Sequence, residues 1–180
     1  MKLIARRVLL IFCFGFISGL VFGTVQDLPS TQDQMKEIGE TLASVNPPAT
    51  EFDFVTFDLS RTTVILRGFT IGEKRKEACA VAVKDISWVG HVLNYIEALP
   101  DGYNDQKLRE NVRFVLRQRA PKIFNDGKSK IRIKVKEGNV TLIGAIKEDE
   151  VNSLERAIGE LKVEDLVRSV ENKTVVRQEN

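Results

Sequence analysis

Between Lys107 and Lys136 the chain carries eleven lysines and arginines against two carboxylates, Glu110 and Asp126, an excess of +9 in a protein whose formal net charge is only +2. The flanking stretches, residues 1–106 and 137–180, are both net acidic. Two spacings organise the basic segment. Arg109, Arg113 and Arg117 recur every four residues, which puts them on one helix face, away from Leu108, Val112 and Val115. Lys130, Arg132, Lys134 and Lys136 alternate with Ile131, Ile133 and Val135, so all four cations leave one side of a strand. Like charges at these spacings repel, and an unmixed arrangement calls for an anionic partner. Against an anionic surface each nearby cation is worth roughly 1 kcal/mol, so about four to six contacts give weak, salt-sensitive attachment. Helix and strand can also show their charges on different sides, which leaves open whether the patch is continuous.

The remaining reactive residues are sparse. His91 is the single histidine, too little for a metal site without carboxylates beside it. Cys13 and Cys79 are the only cysteines, and Cys13 lies in an apolar N-terminal run, so neither a disulfide framework nor a cysteine metal cluster is expected. No Ser-His-Asp or Cys-His arrangement, phosphate-cradling glycine loop or paired-carboxylate motif stands out. Glu148-Asp149-Glu150 reads as an acidic helix start. The expectation is a protein that is not an enzyme and uses no cofactor or metal.

The N-terminus places Lys2, Arg6 and Arg7 before an apolar stretch from Val8 to Val25, the charge order of an export signal. Residues 1–23 therefore read as a signal peptide cleaved after Gly23, or as an uncleaved anchor, since the run is almost long enough to span a bilayer. Export argues against nucleic acid as the target of the basic segment and for a periplasmic location.

The elements that position these residues come in two copies. Val64-Ile65-Leu66-Arg67-Gly68 matches Val140-Thr141-Leu142-Ile143-Gly144 at an offset of 76, and Val89-Gly90-His91-Val92-Leu93-Asn94 matches Val167-Arg168-Ser169-Val170-Glu171-Asn172 at 78. Each copy reads as α-β-β-α-β. In the second, Leu108, Val112, Val115 and Leu116 mark a helix, Ile131 to Val135 a strand, and Glu137-Gly138-Asn139 a turn into Val140 to Ile143. A helix from Asp149 to Leu161 and a strand from Val167 to Val176 complete it. In the first, Met35, Ile38 and Leu42 mark the opening helix, Leu59 to Thr63 replaces the glycine turn, Glu73 to Lys84 is a helix and Val89 to Ile96 a strand. Phe54 and Phe57 fall on opposite faces of one strand, so one of them belongs to a contact between the copies. The expected fold is α+β: two tandem modules over 31–98 and 106–176 joined by a linker at 99–105, each with two helices on one face of a three-stranded mixed sheet.

On Glu137-Gly138-Asn139-Val140-Thr141-Leu142-Ile143-Gly144, on Leu166-Val167-Arg168-Ser169-Val170-Glu171-Asn172, and on their first-copy counterparts, the chain resembles the BON domain family, present twice. The first copy departs from the pattern in its missing turn glycine and Phe-rich strand. The resemblance implies a periplasmic or outer-membrane-associated protein that binds anionic phospholipid head groups and supports envelope integrity or stress tolerance. Arg109, Arg113, Arg117, Lys130, Arg132, Lys134 and Lys136 are the candidate contacts. The alternative is a protein-protein interaction or assembly module, with the basic face meeting an acidic envelope protein.

Overall fold

A computed structural model describes residues 28–124 and 131–177. The export segment 1–23, together with Lys128 and Lys130, lies outside these described residues. The first module runs α1 (Thr31–Ser44), β1 (Phe54–Ser60), β2 (Thr63–Ile71), α2 (Glu73–Lys84) and β3 (His91–Leu99). The second runs α3 (Tyr103–Arg119), the short α4 (Pro121–Phe124), β4 (Ile131–Lys136), β5 (Asn139–Lys147), α5 (Val151–Leu161) and β6 (Ser169–Arg177). A 3-10 turn at Glu148–Glu150 leads into α5.

Both sheets obey one plan. β1 pairs antiparallel with β2 and β4 with β5; the crossover helices α2 and α5 then return the chain so that β3 lies parallel to β2 and β6 parallel to β5. The orders are β1-β2-β3 and β4-β5-β6. The duplication extends to single hydrogen bonds. Asn94 Oδ1 accepts the Ile96 N–H at 3.1 Å, and Asn172 Oδ1 accepts the Thr174 N–H at 3.0 Å. The fold is thus α+β, with helices covering one face of each of two three-stranded mixed sheets.

Burial follows the alternation of the strands. In the first module Val64 and Leu66 of β2 meet Ile38, Cys79 and Val83 of the two helices, all fully buried. In the second, Ile131, Ile133 and Val135 of β4 and Val140 and Leu142 of β5 meet Leu108, Val112 and Leu116 of α3 and Leu154, Ala157 and Leu161 of α5. Each cluster is one contiguous core, as expected of a small domain. Cations on the alternate positions of β4 are forced to the opposite, helix-free face.

Strand bounds differ from the sequence expectation by a few residues, and hydrogen bonding explains the shift. The Gly90 and His91 amides both donate to Thr62 O, at 2.9 and 3.2 Å, so the chain is still turning at Val89 and Gly90, and parallel pairing begins at His91 opposite Thr63. In the second copy the Arg168 amide donates to Gly138 O at 2.8 Å and pairing begins at Ser169 opposite Asn139. At the far end β3 persists to Leu99, whose carbonyl accepts the Gly72 amide at 2.9 Å, so only residues 100–102 separate β3 from α3. The β4–β5 turn uses Glu137 and Gly138, with φ of 51° and 80°, the two positive values of a tight hairpin loop. In the first module the β1–β2 turn has a single positive φ, 55° at Arg61, and no glycine.

Candidate functional site

Strand alternation sends Arg132, Lys134 and Lys136 to the open face of the second sheet, where carboxylate and aromatic groups of the first module meet them. Glu97, near the end of β3, accepts Lys134 at 2.5 Å and Lys136 at 3.1 Å. These two ammonium groups, the Lys134 hydrogen bond foremost, hold the Glu97 carboxyl below its ordinary value. Two residues before Lys134, the Arg132 guanidinium lies 5.3 Å from the Phe54 ring centroid, and Phe54 packs against Phe69 with ring centroids 5.9 Å apart. Phe57 faces the first module's own core. The open faces of the two sheets therefore meet at a corner built from Phe54, Phe69 and Glu97 on one side and Arg132, Lys134 and Lys136 on the other.

A second junction forms where the segment before β1 runs along α3. Glu51 pairs with Arg113 and, at 3.5 Å, with Arg117; Arg113 also pairs with Glu110 on its own helix. Arg113 sits 5.8 Å from the Phe52 ring centroid, and Phe52 packs against the second module's core although it precedes the first module's sheet. Arg119 and Lys122 are held within the second module, by Glu160 at 2.6 Å and Asp149 at 3.1 Å.

Arg109 has a different fate from the rest of its helical stripe. It is 2% exposed and donates to Pro100 O at 3.0 Å. Burial lowers its pKa, opposed by Asp105, Asp101, Asp53 and Glu110 around it. The stripe is split because α3 lies against the inter-module connection at its N-terminal end and reaches half-exposed surface only further along. Arg109 is thus a buried structural cation, Arg113 and Arg117 line the junction with Glu51, and the three described strand cations line the junction with Glu97 and Phe54.

Sequence reasoning missed the acidic half of this arrangement. Glu51 and Glu97 are single carboxylates in ordinary surroundings, separated from their partners by 62 residues (Glu51 to Arg113) and 37 residues (Glu97 to Lys134). Asp105 was also missed. It is buried at the start of α3 and accepts the Glu137 amide at 2.8 Å and the Gly138 amide at 3.1 Å, fixing the β4–β5 turn. The one usable signal was the net acidity of residues 1–106, complementary to the +9 segment.

Among the described residues no group of His, Cys, Asp and Glu is placed to hold a metal ion. Cys79 is buried in the first core, which pushes its thiol pKa up. No helix of the described residues is long and apolar enough to cross a membrane.

No family model matches the chain, and no curated protein matches it in sequence. Among solved structures it is similar to CdsD, a structural protein of the type III secretion system of Chlamydia trachomatis, at 12% identity over 81% of this chain and 92% of that one, with a TM-score of 0.34. It is also similar to the periplasmic domain of PrgH, a type III secretion inner membrane protein of S. typhimurium, at 14% identity over 81% of this chain and 72% of that one, with a TM-score of 0.29.

Proposed function

We propose that the chain is a non-enzymatic protein-interaction module of the cell envelope, exported behind its N-terminal segment and built on a duplicated BON-like unit. The observation that carries this reading is the open face of the first sheet. There Leu93 and Tyr95, 43% and 61% exposed, stand beside their register partners Ile65 and Arg67. Arg67 stacks 5.5 Å from the Tyr95 ring centroid, so aromatic and aliphatic surface is held in one fixed arrangement. Clustered exposed apolar side chains with a charged border are a feature of partner-binding faces.

Docking on anionic phospholipid is the competing reading, and the pairing of Lys134 and Lys136 with Glu97 weighs against it. At Lys134 and Lys136 the like-charge repulsion that called for an external anion is partly answered inside the chain.

A photo-crosslinking residue placed at Tyr95 in cells tests the proposal. A discrete adduct with one protein, lost when Leu93→Asp is added, is the expected outcome. No discrete protein adduct, together with salt-sensitive sedimentation of the chain on vesicles containing phosphatidylglycerol, would replace this reading with the lipid one.

A further inference from the structure

Duplication gives each sheet a last strand of the same kind, but only in the first is the strand's C-terminal end covered. At the end of β3, Ile96 and Leu99 are buried, and Glu97 between them meets the second module. The corresponding residues of β6, offset by 78, are Thr174, Val175 and Arg177, and Val175 is 61% exposed. Seven of the nine β6 residues are exposed, so pairing with β5 rather than burial is what holds this strand. Among the described residues β6 is the end strand of its sheet, with its outer backbone edge unpaired.

Beside this strand the uncovered part of the sheet forms a groove of about 470 Å³. Its floor is apolar, made by Ile143, Ala145 and Val175, and Phe54 of the first module forms a wall. Arg132, Lys147 and Arg177 line it, and none of its lining residues is a carboxylate. The first module answers the cations of the same sheet with acid at Glu97, so the chemistry complementary to this face is already illustrated within the molecule.

We propose that this groove and the outer edge of β6 bind an acidic peptide segment of a partner protein, added to the sheet as a further strand. This deepens the interaction-module reading and rests on it. A strand laid along β6 hydrogen-bonds to its open edge, and its alternate side chains reach the groove. The open-face row of β6 runs Glu171, Lys173, Val175 and Arg177, with Lys173 paired to Glu171 at 3.1 Å and Val175 and Arg177 beyond it at the groove, while Thr174 and Val176 face the other side. The complementary strand places an acidic, an apolar and an acidic residue over Lys173, Val175 and Arg177, with β-branched residues between them. Glu-Thr-Val-Val-Glu satisfies both faces.

The test uses the full chain and a fluorescein-labelled nonapeptide with that central sequence, read by anisotropy. The expected result is saturable binding that weakens about tenfold in R177E and in V175D, and by a similar factor when both glutamates of the peptide become lysine. Both protein sites are exposed, so their variants keep the fold, which a thermal melt checks. Equal binding of the lysine peptide, or no response to R177E and V175D together, overturns the proposal. So does Arg177-dependent sedimentation on vesicles of three parts phosphatidylcholine to one part phosphatidylglycerol in the absence of peptide binding, which assigns the groove to a membrane. If the peptide fails while the Tyr95 adduct persists, only the groove assignment falls. If the adduct is lost and the peptide still binds, the groove stands and the first sheet's face is not the docking surface.

Discussion

The Glu97 carboxylate on the last strand of the first module sits 2.5 Å from the Lys134 ammonium on the first strand of the second, and Lys136 closes on the same carboxylate at 3.1 Å. A single carboxylate thereby bridges two rungs of a strand that would otherwise present a ladder of like charge, offsetting half of their positive charge. This contact, with Arg132 over Phe54, joins two sheets whose cores are otherwise separate.

Its contribution should depend on pH with a definite sign. Because the lysines hold the folded-state pKa of Glu97 below the unfolded value, the stabilisation is present above the ordinary glutamate range and is lost as pH falls through the depressed value. Glu97 is more than one third exposed, so solvent screening keeps the effect below about 1 kcal/mol. Urea denaturation of Glu97→Gln should show a deficit of that size at neutral pH, one that shrinks as the pH falls through the depressed value and the native carboxyl takes up its proton. A deficit that persists unchanged in acid would mean that the contact is held by packing and not by charge.

The second junction lends itself to a double-mutant cycle. Glu51 pairs with both Arg113 and Arg117, so Glu51→Ala and Arg113→Ala should be non-additive. For a half-exposed pair the expected coupling is about 0.5 to 1 kcal/mol, while Arg119→Ala, whose partner is Glu160, should add independently to Glu51→Ala. Equal coupling of Glu51 to Arg113 and to Arg119 would show that the measured term is diffuse field and not a local pair.

Much of the fold was legible because its signals are local or repeated. The alternation of Ile131, Ile133 and Val135 with basic residues assigned the buried and open faces of β4, and the offsets of 76 and 78 aligned β2 with β5 and β3 with β6. Helix Glu73–Lys84 appears at its expected bounds. The basic site was legible only in its own residues. A period-four spacing places Arg109 with Arg113 and Arg117 but does not say that the chain at Pro100 will cover the first of them. Nor does strand alternation say that an open face will be met by another sheet. Phe54 was the exception. Its conflict with Phe57 over which face to bury signalled a contact beyond the first core, and it lies against Arg132.

Asp105 is the most economical place to test how the opening helix of the second module is tied to its hairpin. Its two oxygens accept from Glu137 and Gly138, and the residue is buried. Asp105→Asn keeps one acceptor and turns an amide toward the other N–H, leaving a buried donor unmet at a cost of about 1 to 3 kcal/mol. Amide exchange of Glu137 and Gly138 should accelerate in this variant while that of the Arg61–Thr62 turn in the first module is unchanged. Uniform acceleration in both turns would indicate global loss of stability and would remove the specific role of the carboxylate.

Two glycines of the first module should respond oppositely to the same substitution. At Gly68 the backbone has φ of +112°, and an added Cβ would lie 1.9 Å from the Phe54 carbonyl oxygen. That atom belongs to the strand paired across from it and cannot step aside without opening the β1–β2 ladder. Gly68→Ala is therefore expected to cost about 3 kcal/mol or more, and to disturb Phe54 and with it the contact to Arg132. Gly39 lies within α1, where an added Cβ meets nothing within 4 Å. Removing its excess unfolded-state freedom should stabilise by about 0.5 to 1 kcal/mol. Thermal melts of the two variants should move in opposite directions, and only Gly68→Ala should alter the near-ultraviolet signal of the phenylalanines. A neutral Gly68→Ala would mean that β1 can withdraw from β2 at Phe54 without loss, and the corner between the two sheets would then have to be held by the Glu97 ion pairs alone.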